Sequence, residues 1–219
     1  MIFGKPEEFL GICKAMLETG ITPDFITVDG GEGGTGAAPT EMTNSVGTPL
    51  RDGLIFVNGA LKGIGLRDKI RIIASGKIFS AFHLVRIIAL GADTGNSARG
   101  MMFSLGCIQS RSCNTDHCPT GIATQNPSRN KALVVEDKSK RVANFHHEMI
   151  LNLVELLALA GLESLDELEP RLINHRVKGT IIKNYAQLYP SIAHLSLLSD
   201  EDIPDAWKEA WDMAHVDRW

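Results

Sequence analysis

Residues 70–91 read IRIIASGKIFSAFHLVRIIALG. The first five residues are rich in isoleucine, which predicts a strand over 70–74, and the turn Ser75-Gly76-Lys77 follows directly. The next residues predict a helix, because apolar side chains recur at helical spacing at Phe82, Val85 and Ile88. This stretch is therefore a strand–turn–helix unit, which is the building block of a parallel sheet.

The same kind of unit recurs on both sides of this stretch. Residues 25–28 read FITV, a β-branched strand that follows a predicted helix over 6–20 and leads into a glycine-rich loop. A second helix is predicted over 50–63. Residues 92–98 have poor strand propensity, and only their position after a helix predicts a third strand there.

The alternation of strands and helices indicates an α/β fold with a parallel sheet. Three units are too few to close an eight-stranded (β/α)8 barrel, so we expect this part of the chain to be the end of a larger domain. This part covers residues 1–135 and includes a cysteine loop at 101–125. Residues 136–219 are expected to form a helical extension, with a long amphipathic helix over about 138–160 and a tail that carries Trp207, Trp211 and Trp219.

The composition is that of a soluble globular protein, since 44% of the 219 residues are hydrophobic and 22% are charged. A formal net charge of −4 gives no reason to expect nucleic acid or an anionic membrane as a partner. The sequence has neither an apolar run of membrane-spanning length nor a signal peptide. We therefore expect a cytoplasmic protein, whose clustered cysteines stay reduced and serve metal or redox roles.

The loops after the predicted strands indicate a ligand. Residues 31–36 read GEGGTG, which fits the dinucleotide-binding pattern, but no apolar helix follows as that pattern requires. Two interpretations of this segment remain, a flexible loop and a loop that packs against a flat ligand, and we favour the second.

Ser75-Gly76-Lys77 and Ala98-Arg99-Gly100 both follow strand ends. Lys77 and Arg99 are either surface charges or phosphate-binding cations, and their repetition at two consecutive strand ends favours phosphate.

Three of the four cysteines, Cys107, Cys113 and Cys118, lie within twelve residues in the pattern C-x5-C-x4-C. Polar residues between them favour a loop over buried structural thiols. Thiolates this close are typical ligands of a soft metal or an iron–sulfur cluster. The spacing misses that of structural zinc sites, although His117 is available as a fourth zinc ligand. Three thiolates without a fourth suit a cluster of three irons better than a four-iron cubane.

Three segments together resemble the FMN-binding domain of glutamate synthase and, more closely, the shorter glutamate synthase-related proteins. They are GGTGA at 33–37 after a strand, the Ser-Gly-Lys that ends a later strand, and the cysteine segment from Gly106 to Gly121. The resemblance spans roughly residues 5–160. It implies a (β/α)8 barrel with FMN at the carboxyl ends of the strands and a [3Fe-4S] cluster beside it. By this resemblance residues 25–29, 70–74 and 92–97 are strands six, seven and eight, so we expect a partial TIM barrel made of the last three or so βα units.

The resemblance also implies roles for single residues. The cluster ligands are Cys107, Cys113 and Cys118. The FMN phosphate region consists of Ser75, Gly76, Lys77, Ala98, Arg99 and Gly100. The loop of Gly33, Gly34, Thr35 and Gly36 lies near the flavin and the substrate. The catalytic candidates are Lys14, for the oxo-acid site, and Glu32.

The activity that the resemblance implies is that of an FMN and iron–sulfur oxidoreductase acting on CH–NH2 donors. Ammonia and 2-oxoglutarate, or a similar 2-oxo acid, give 2-iminoglutarate, which the reduced flavin converts to glutamate by hydride transfer. Electrons arrive through the cluster from ferredoxin or from a pyridine-nucleotide-linked reductase subunit. Two alternatives stay open. One is a non-catalytic fragment or subunit of a split barrel that needs a partner chain with the N-terminal barrel half, and the other is a zinc-stabilised interaction module.

Overall fold

Three parallel strands form the central sheet, in the order in which they occur in the chain. The computed structural model describes residues 4–31, 39, 41–42 and 45–217. In it β1 is Phe25–Asp29, β2 is Arg71–Ser75 and β3 is Thr94–Asn96. Ser75 lies opposite both Asp29 and Asn96, so the carboxyl ends of the three strands are level with one another. The α/β class and its parallel sheet are confirmed.

Helices precede and connect these strands, with boundaries within one or two residues of the predicted ones. The bounds are α1 Pro6–Thr19, α2 Leu50–Gly63 and α3 Ala81–Ala89, of which α2 joins β1 to β2 and α3 joins β2 to β3. The ends of these helices follow local rules. A proline opens α1, Gly20 ends it with φ at 69°, and the Ser80 hydroxyl caps α3.

One face of the sheet is buried in the core, and the described part of the chain leaves the other face partly open. Ile26, Val28, Ile72 and Ala74 alternate along β1 and β2, and all are buried. On the opposite face Phe25 keeps 58% of its surface exposed. Parallel sheets are normally covered on both faces, so this sheet is suited to receive a further layer. Three strands do not show a barrel, and the partial (β/α)8 barrel stays a prediction.

One side chain of α3 differs from its predicted place. Phe82 is 50% exposed, whereas Leu84 and Val85 of the same helix are buried. The buried stripe of α3 therefore runs beside Phe82 rather than through it, because positions 81, 84 and 85 already fill the helix face that meets the sheet.

Hydrogen bonds of Arg67 and Asp93 join α2 to the amino ends of β2 and β3. The guanidinium of Arg67 donates to Asp93 at 2.9 Å, to the carbonyls of Ile70 and Gly91, and to the Asn58 side chain. Asp93 also accepts from the N–H of Ile72 at 2.6 Å. This cluster lies at the end of the sheet opposite to the strand ends that carry the candidate ligand loops.

A long helix packs across the outer side of the last strand–helix unit. It is α6, Val135–Leu159, and it follows two short helices, α4 Arg99–Leu105 and α5 Pro127–Asn130. α6 packs against α3 and α4, and Met149, Leu153 and Leu157 form its buried stripe. The predicted amphipathic helix is confirmed, whereas the predicted division of the chain at residue 135 stays a prediction.

The C-terminal part contains a β-hairpin that the predicted helical extension did not include. Strands β4, Asn174–Lys178, and β5, Ile181–Asn184, pair antiparallel around Gly179. The prediction was incomplete because nearly every residue of this hairpin is exposed, so the strands show no buried alternation. The helices of this part are the 3-10 turns Leu165–Glu167 and Pro170–Leu172, α7 Tyr185–Leu188 and α8 Asp205–Met213.

Among the helices that the structure describes, none is long and apolar enough to cross a membrane.

Candidate functional site

The loops at the carboxyl ends of β1, β2 and β3 lie side by side, as the register of the strands requires. The first loop is bound to the second, since the N–H of Gly30 donates to the carbonyl of Ser75 at 2.8 Å. The second is bound to the third, since the Ser97 hydroxyl donates to the carbonyl of Ile78 at 2.6 Å. These hydrogen bonds bring the three predicted ligand loops to one edge of the sheet, where parallel folds bind their ligands.

The loop after β1 packs its backbone directly on the start of α2. A Cβ atom on Gly30 would lie 2.7 Å from the Cβ of Leu50, and one on Gly31 would lie 2.4 Å from the Cα of Gly47. These two glycines are therefore needed for the close approach of two chain segments. The predicted Glu32 and Gly33, Gly34, Thr35 and Gly36 lie outside the described residues.

The loop after β2 turns through two residues with positive φ. Gly76 has φ at 143°, and Lys77 follows with φ at 49°. A Cβ atom on Gly76 would make only ordinary contacts, so the backbone conformation and not the available space requires glycine there. The turn leaves the side chain of Lys77 exposed at the strand ends and returns the chain to the core at buried Ile78.

The loop after β3 leads directly into α4, whose first residues are Arg99 and Gly100. Ala98 provides no side-chain cap for this helix, and Arg99 is half-buried. A Cβ atom on Gly100 would lie 2.6 Å from the Ser97 hydroxyl and 3.2 Å from the Phe145 ring. Gly100 therefore lets α4 start close to the bridging Ser97, between the second loop and α6.

The three clustered cysteines lie in the loop between α4 and α5, but their sulfur atoms do not converge. Cys107 is half-buried, Cys113 is exposed and Cys118 is 6% exposed. Among the residues that the structure describes, no three His, Cys, Asp or Glu side chains are grouped to hold a metal ion. The predicted set of three ligands, and a zinc set with His117, are therefore not assembled in this structure.

An aspartate orders the loop around the last cysteine. The Asp116 carboxylate accepts from the N–H of Gln125 at 2.6 Å and from the hydroxyl of Thr124 at 2.9 Å. These two hydrogen bonds hold the pKa of Asp116 below its usual value. The next carbonyl, that of His117, accepts from Arg129 at 3.1 Å. The Asp116 side chain and the His117 carbonyl are thus bonded to the segment that follows the cysteines.

The sulfur of Cys118 lies among hydrogen-bond donors. Burial works to raise the pKa of this thiol, but the Thr120 hydroxyl, at 3.4 Å, and the N–H groups of Ala123, Thr120 and Ile122 outweigh it and lower the pKa to about 7. Donors that stabilise a thiolate in this way are what a metal-ligating cysteine requires.

The comparisons with known proteins place this chain in a family. The sequence model described as "Conserved region in glutamate synthase" matches residues 8–163. The chain belongs to the glutamate synthase family. The resemblance drawn from the glycine loop, the Ser-Gly-Lys turn and the cysteine segment is thereby confirmed.

Two curated relatives show how much of a family member the chain represents. A glutamate synthase large subunit-like protein of Bacillus subtilis, YerD, is 45% identical over 164 residues, which are 75% of this chain and 31% of YerD. An archaeal glutamate synthase (NADPH) of Methanocaldococcus jannaschii is 40% identical over 145 residues, which are 66% of this chain and 28% of the relative. The chain thus spans about a third of the length of these relatives.

Among solved structures, a flavocytochrome b2 double mutant with pyruvate bound superposes on the chain with a TM-score of 0.45 and 12% identity. The match covers 77% of this chain and 32% of that one.

Lys14, the predicted oxo-acid residue of this glutamate synthase family member, contacts the C-terminal segment. Its amine donates to the carbonyl of Trp211 at 2.6 Å and to that of Ala214 at 3.1 Å, and it lies 4.8 Å from the centre of the Trp211 indole. These contacts give the ammonium a structural role in joining α1 to the segment around α8. The catalytic role of Lys14 stays a prediction without support from its position.

Two residues that organise the site were missed by the sequence analysis. Ser97 links the loops after β2 and β3, and Asp116 orders the cysteine loop. Both stand next to residues that were singled out, Ala98 and His117. Ser97 is a short polar side chain at the end of the predicted third strand, and Asp116 is one in the predicted cysteine loop. Serine and aspartate in such positions commonly bond to nearby backbone, which is the signal that indicates their role.

Proposed function

We propose that this chain supplies the phosphate end of an FMN site and the cysteine loop of a glutamate synthase-like oxidoreductase. In the proposed reaction, ammonia condenses with 2-oxoglutarate, with loss of water, to 2-iminoglutarate. Addition of a hydride and a proton then gives glutamate. FMN, when bound, supplies the hydride. The observation that carries the proposal is the meeting of the three loops at one edge of the sheet, in a chain of the glutamate synthase family.

The loops after β2 and β3 fit the phosphate of FMN. They are joined by the hydrogen bond from Ser97 to the Ile78 carbonyl, and they bring an exposed Lys77 and a half-buried Arg99 to the same edge. Phosphate groups are bound by such cations together with main-chain N–H groups at strand ends. In our proposal, Ser75, Gly76 and Lys77 hold one side of the phosphate, and Ala98, Arg99 and Gly100 hold the other.

The residues fit a [3Fe-4S] cluster only in part. The donors around Cys118 suit a ligating thiolate, whereas Cys107 and Cys113 are not grouped with it. The assignment of all three as ligands rests on the family resemblance, and we derive no electron-transfer step from the present geometry.

The proposed location of the protein is the cytoplasm. All four cysteines are free thiols, which suits a reducing compartment.

The electron donor in this proposal is linked to a pyridine nucleotide. The family had suggested either ferredoxin or a pyridine-nucleotide-linked reductase subunit. Relatives named as glutamate synthases of the NADPH type favour the second. The substrate in the proposal is 2-oxoglutarate or a similar 2-oxo acid.

A second candidate function is that of one part of a split barrel. The open face of the sheet favours it, and so does a groove of about 590 Å³ along the outer edge of β3, between Asn96 and the α6 residues Met149 and Leu153. In this sheet β1 and β3 are the edge strands, and an exposed edge strand is a template for a further strand. A partner chain with the N-terminal barrel strands would cover both surfaces.

One experiment separates these two candidates. The purified chain is reconstituted with FMN, the flavin is reduced without oxygen, and 2-oxoglutarate is added with ammonium. We expect the flavin absorption to return with one glutamate formed per flavin, and no return when ammonium is omitted. A return only after addition of the N-terminal barrel half, cut from a relative such as YerD, favours the split barrel. If the flavin absorption returns neither with the chain alone nor with the added barrel half, the proposed activity is overturned.

A further inference from the structure

A groove on the outside of the molecule has a lining that the proposed function does not use. It runs between the start of α3 and one face of α6, and its volume is about 460 Å³. That volume is in the range of small-ligand sites. The wall on the α3 side includes Phe79 and Phe82, and the α6 side includes Phe145, Glu148 and Glu155.

The two phenylalanines on the α3 side are exposed in part. Phe79 is 45% exposed and Phe82 is 50% exposed, and both line the groove after the β2 loop. Covering such rings with methylene groups removes apolar surface from water. The faces of the rings also attract a cation, because their quadrupole places negative charge there.

The formal charges among the residues that line the groove are negative. They are those of Glu148 and Glu155, and the described lining residues include no lysine, arginine or histidine. The imidazole of His83 contacts the Phe79 ring, with 4.4 Å between the ring centres, but does not line the groove. The two glutamates are seven residues apart on α6, which is about two helical turns. They therefore project from the same side of the helix, about 10 Å apart along its axis.

We propose that this groove binds a linear aliphatic diamine. One ammonium group pairs with the carboxylate of Glu148 and the other with that of Glu155, while the methylene chain between them lies over Phe79 and Phe82. The spacing of the carboxylates selects for the length of the ligand, and the rings select for a chain that is apolar in its middle. A monoamine satisfies only one of the two carboxylates.

Calorimetric titration of the full-length chain with 1,8-diaminooctane at low salt tests this site. We expect saturable binding of one diamine per chain. The matched ligand 1-aminooctane, which lacks the second ammonium, is expected to bind about fivefold more weakly, as is 1,4-diaminobutane, whose ammonium groups are too close to reach both carboxylates. Equal affinities for 1,8-diaminooctane and 1-aminooctane would overturn the proposal, as would a failure to saturate.

Variants of the groove give a second measurement that does not depend on ligand length. Glu148→Gln and Glu155→Gln are each expected to weaken binding of 1,8-diaminooctane about fivefold, and Phe82→Ala by a similar factor. Glu163→Gln, which removes an exposed carboxylate beyond the end of α6, is the control and is expected to bind like the wild type. All these side chains are exposed, so the fold is retained. Wild-type affinity in both glutamine variants of the groove contradicts the assignment.

Discussion

Cys118 differs from its neighbours in the cysteine loop because donors surround its sulfur. We predict that in the metal-free chain the rate of its alkylation rises with a midpoint near pH 7, since the pKa of this thiol is lowered to about 7 from 9.0. The lowered pKa adds stability that is complete above pH 9.0 and is lost as the pH falls through about 7. Peptide mass spectrometry after timed alkylation measures the rate at this one cysteine.

The control for this measurement is Thr120→Val, which removes the hydroxyl donor and is expected to move the midpoint of Cys118 alkylation upward. A wild-type midpoint at the unshifted value of 9.0 would show that the N–H groups of the loop do not stabilise the thiolate.

Gly100 is a tightly packed residue of the candidate phosphate site. Gly100→Ala places a Cβ 2.6 Å from the Ser97 hydroxyl, which is already bonded to the Ile78 carbonyl. We expect the free energy of unfolding to fall by about 1–3 kcal/mol, as for other overpacked sites, when measured by urea denaturation. Gly4→Ala is the control, because nothing lies within 4 Å of the added atom. Equal urea midpoints for the two variants contradict the tight packing of the third loop.

The position of Lys14 allows its two possible roles to be separated. Lys14→Met removes the hydrogen bonds to the Trp211 and Ala214 carbonyls and is expected to lower the free energy of unfolding by about 1–3 kcal/mol. Because these contacts lie on the C-terminal segment, FMN affinity is expected to stay unchanged. Unchanged stability together with lost 2-oxoglutarate turnover would restore the catalytic role that the family resemblance implies.

Among the elements, the strand–helix units depend on the cluster of Arg67 and Asp93. Both Arg67 and Arg71 bond to Asp93, at 2.9 Å and 3.1 Å, but the side chain of Arg67 is 16% exposed and that of Arg71 is 72% exposed. We predict that Arg67→Met lowers the free energy of unfolding by about 2–4 kcal/mol, because it removes the more buried of the two arginines bonded to Asp93 and the side-chain donor of two carbonyls. Arg71→Met serves as the matched control and is expected to cost less than about 1 kcal/mol. Similar losses in the two variants, measured by urea denaturation, would contradict this.

The elements also show what the sequence could predict. The strands at 25–29 and 71–75 and their helices were predictable, because burial on one side imposes a period on the apolar residues. β3 has only three residues, and α4 has seven and no side-chain cap, so neither has a strong local signal. The hairpin of β4 and β5 was missed because its residues are exposed on both faces. Contacts between distant residues, such as Arg67 with Asp93, leave no pattern in a single sequence.

On the scale of the whole molecule, three loops that are far apart in sequence meet at one edge of a parallel sheet. That meeting was predictable from the strand order, since parallel strands end at the same edge. The bonds that join the loops, through Gly30 and Ser97, were not predictable, and neither was the separation of the three cysteines. We propose that these loops of this glutamate synthase family member hold the phosphate of FMN.

Fluorescence titration of the chain with FMN and with riboflavin tests this claim most directly, because the two flavins differ only in the phosphate. We predict that FMN binds at least about tenfold more tightly than riboflavin, which corresponds to about 1.4 kcal/mol. Arg99→Ala and Lys77→Ala are expected to reduce this preference, whereas Lys208→Ala, on exposed α8, leaves it unchanged. Equal affinity of the wild-type chain for the two flavins, or binding of neither, would contradict the account.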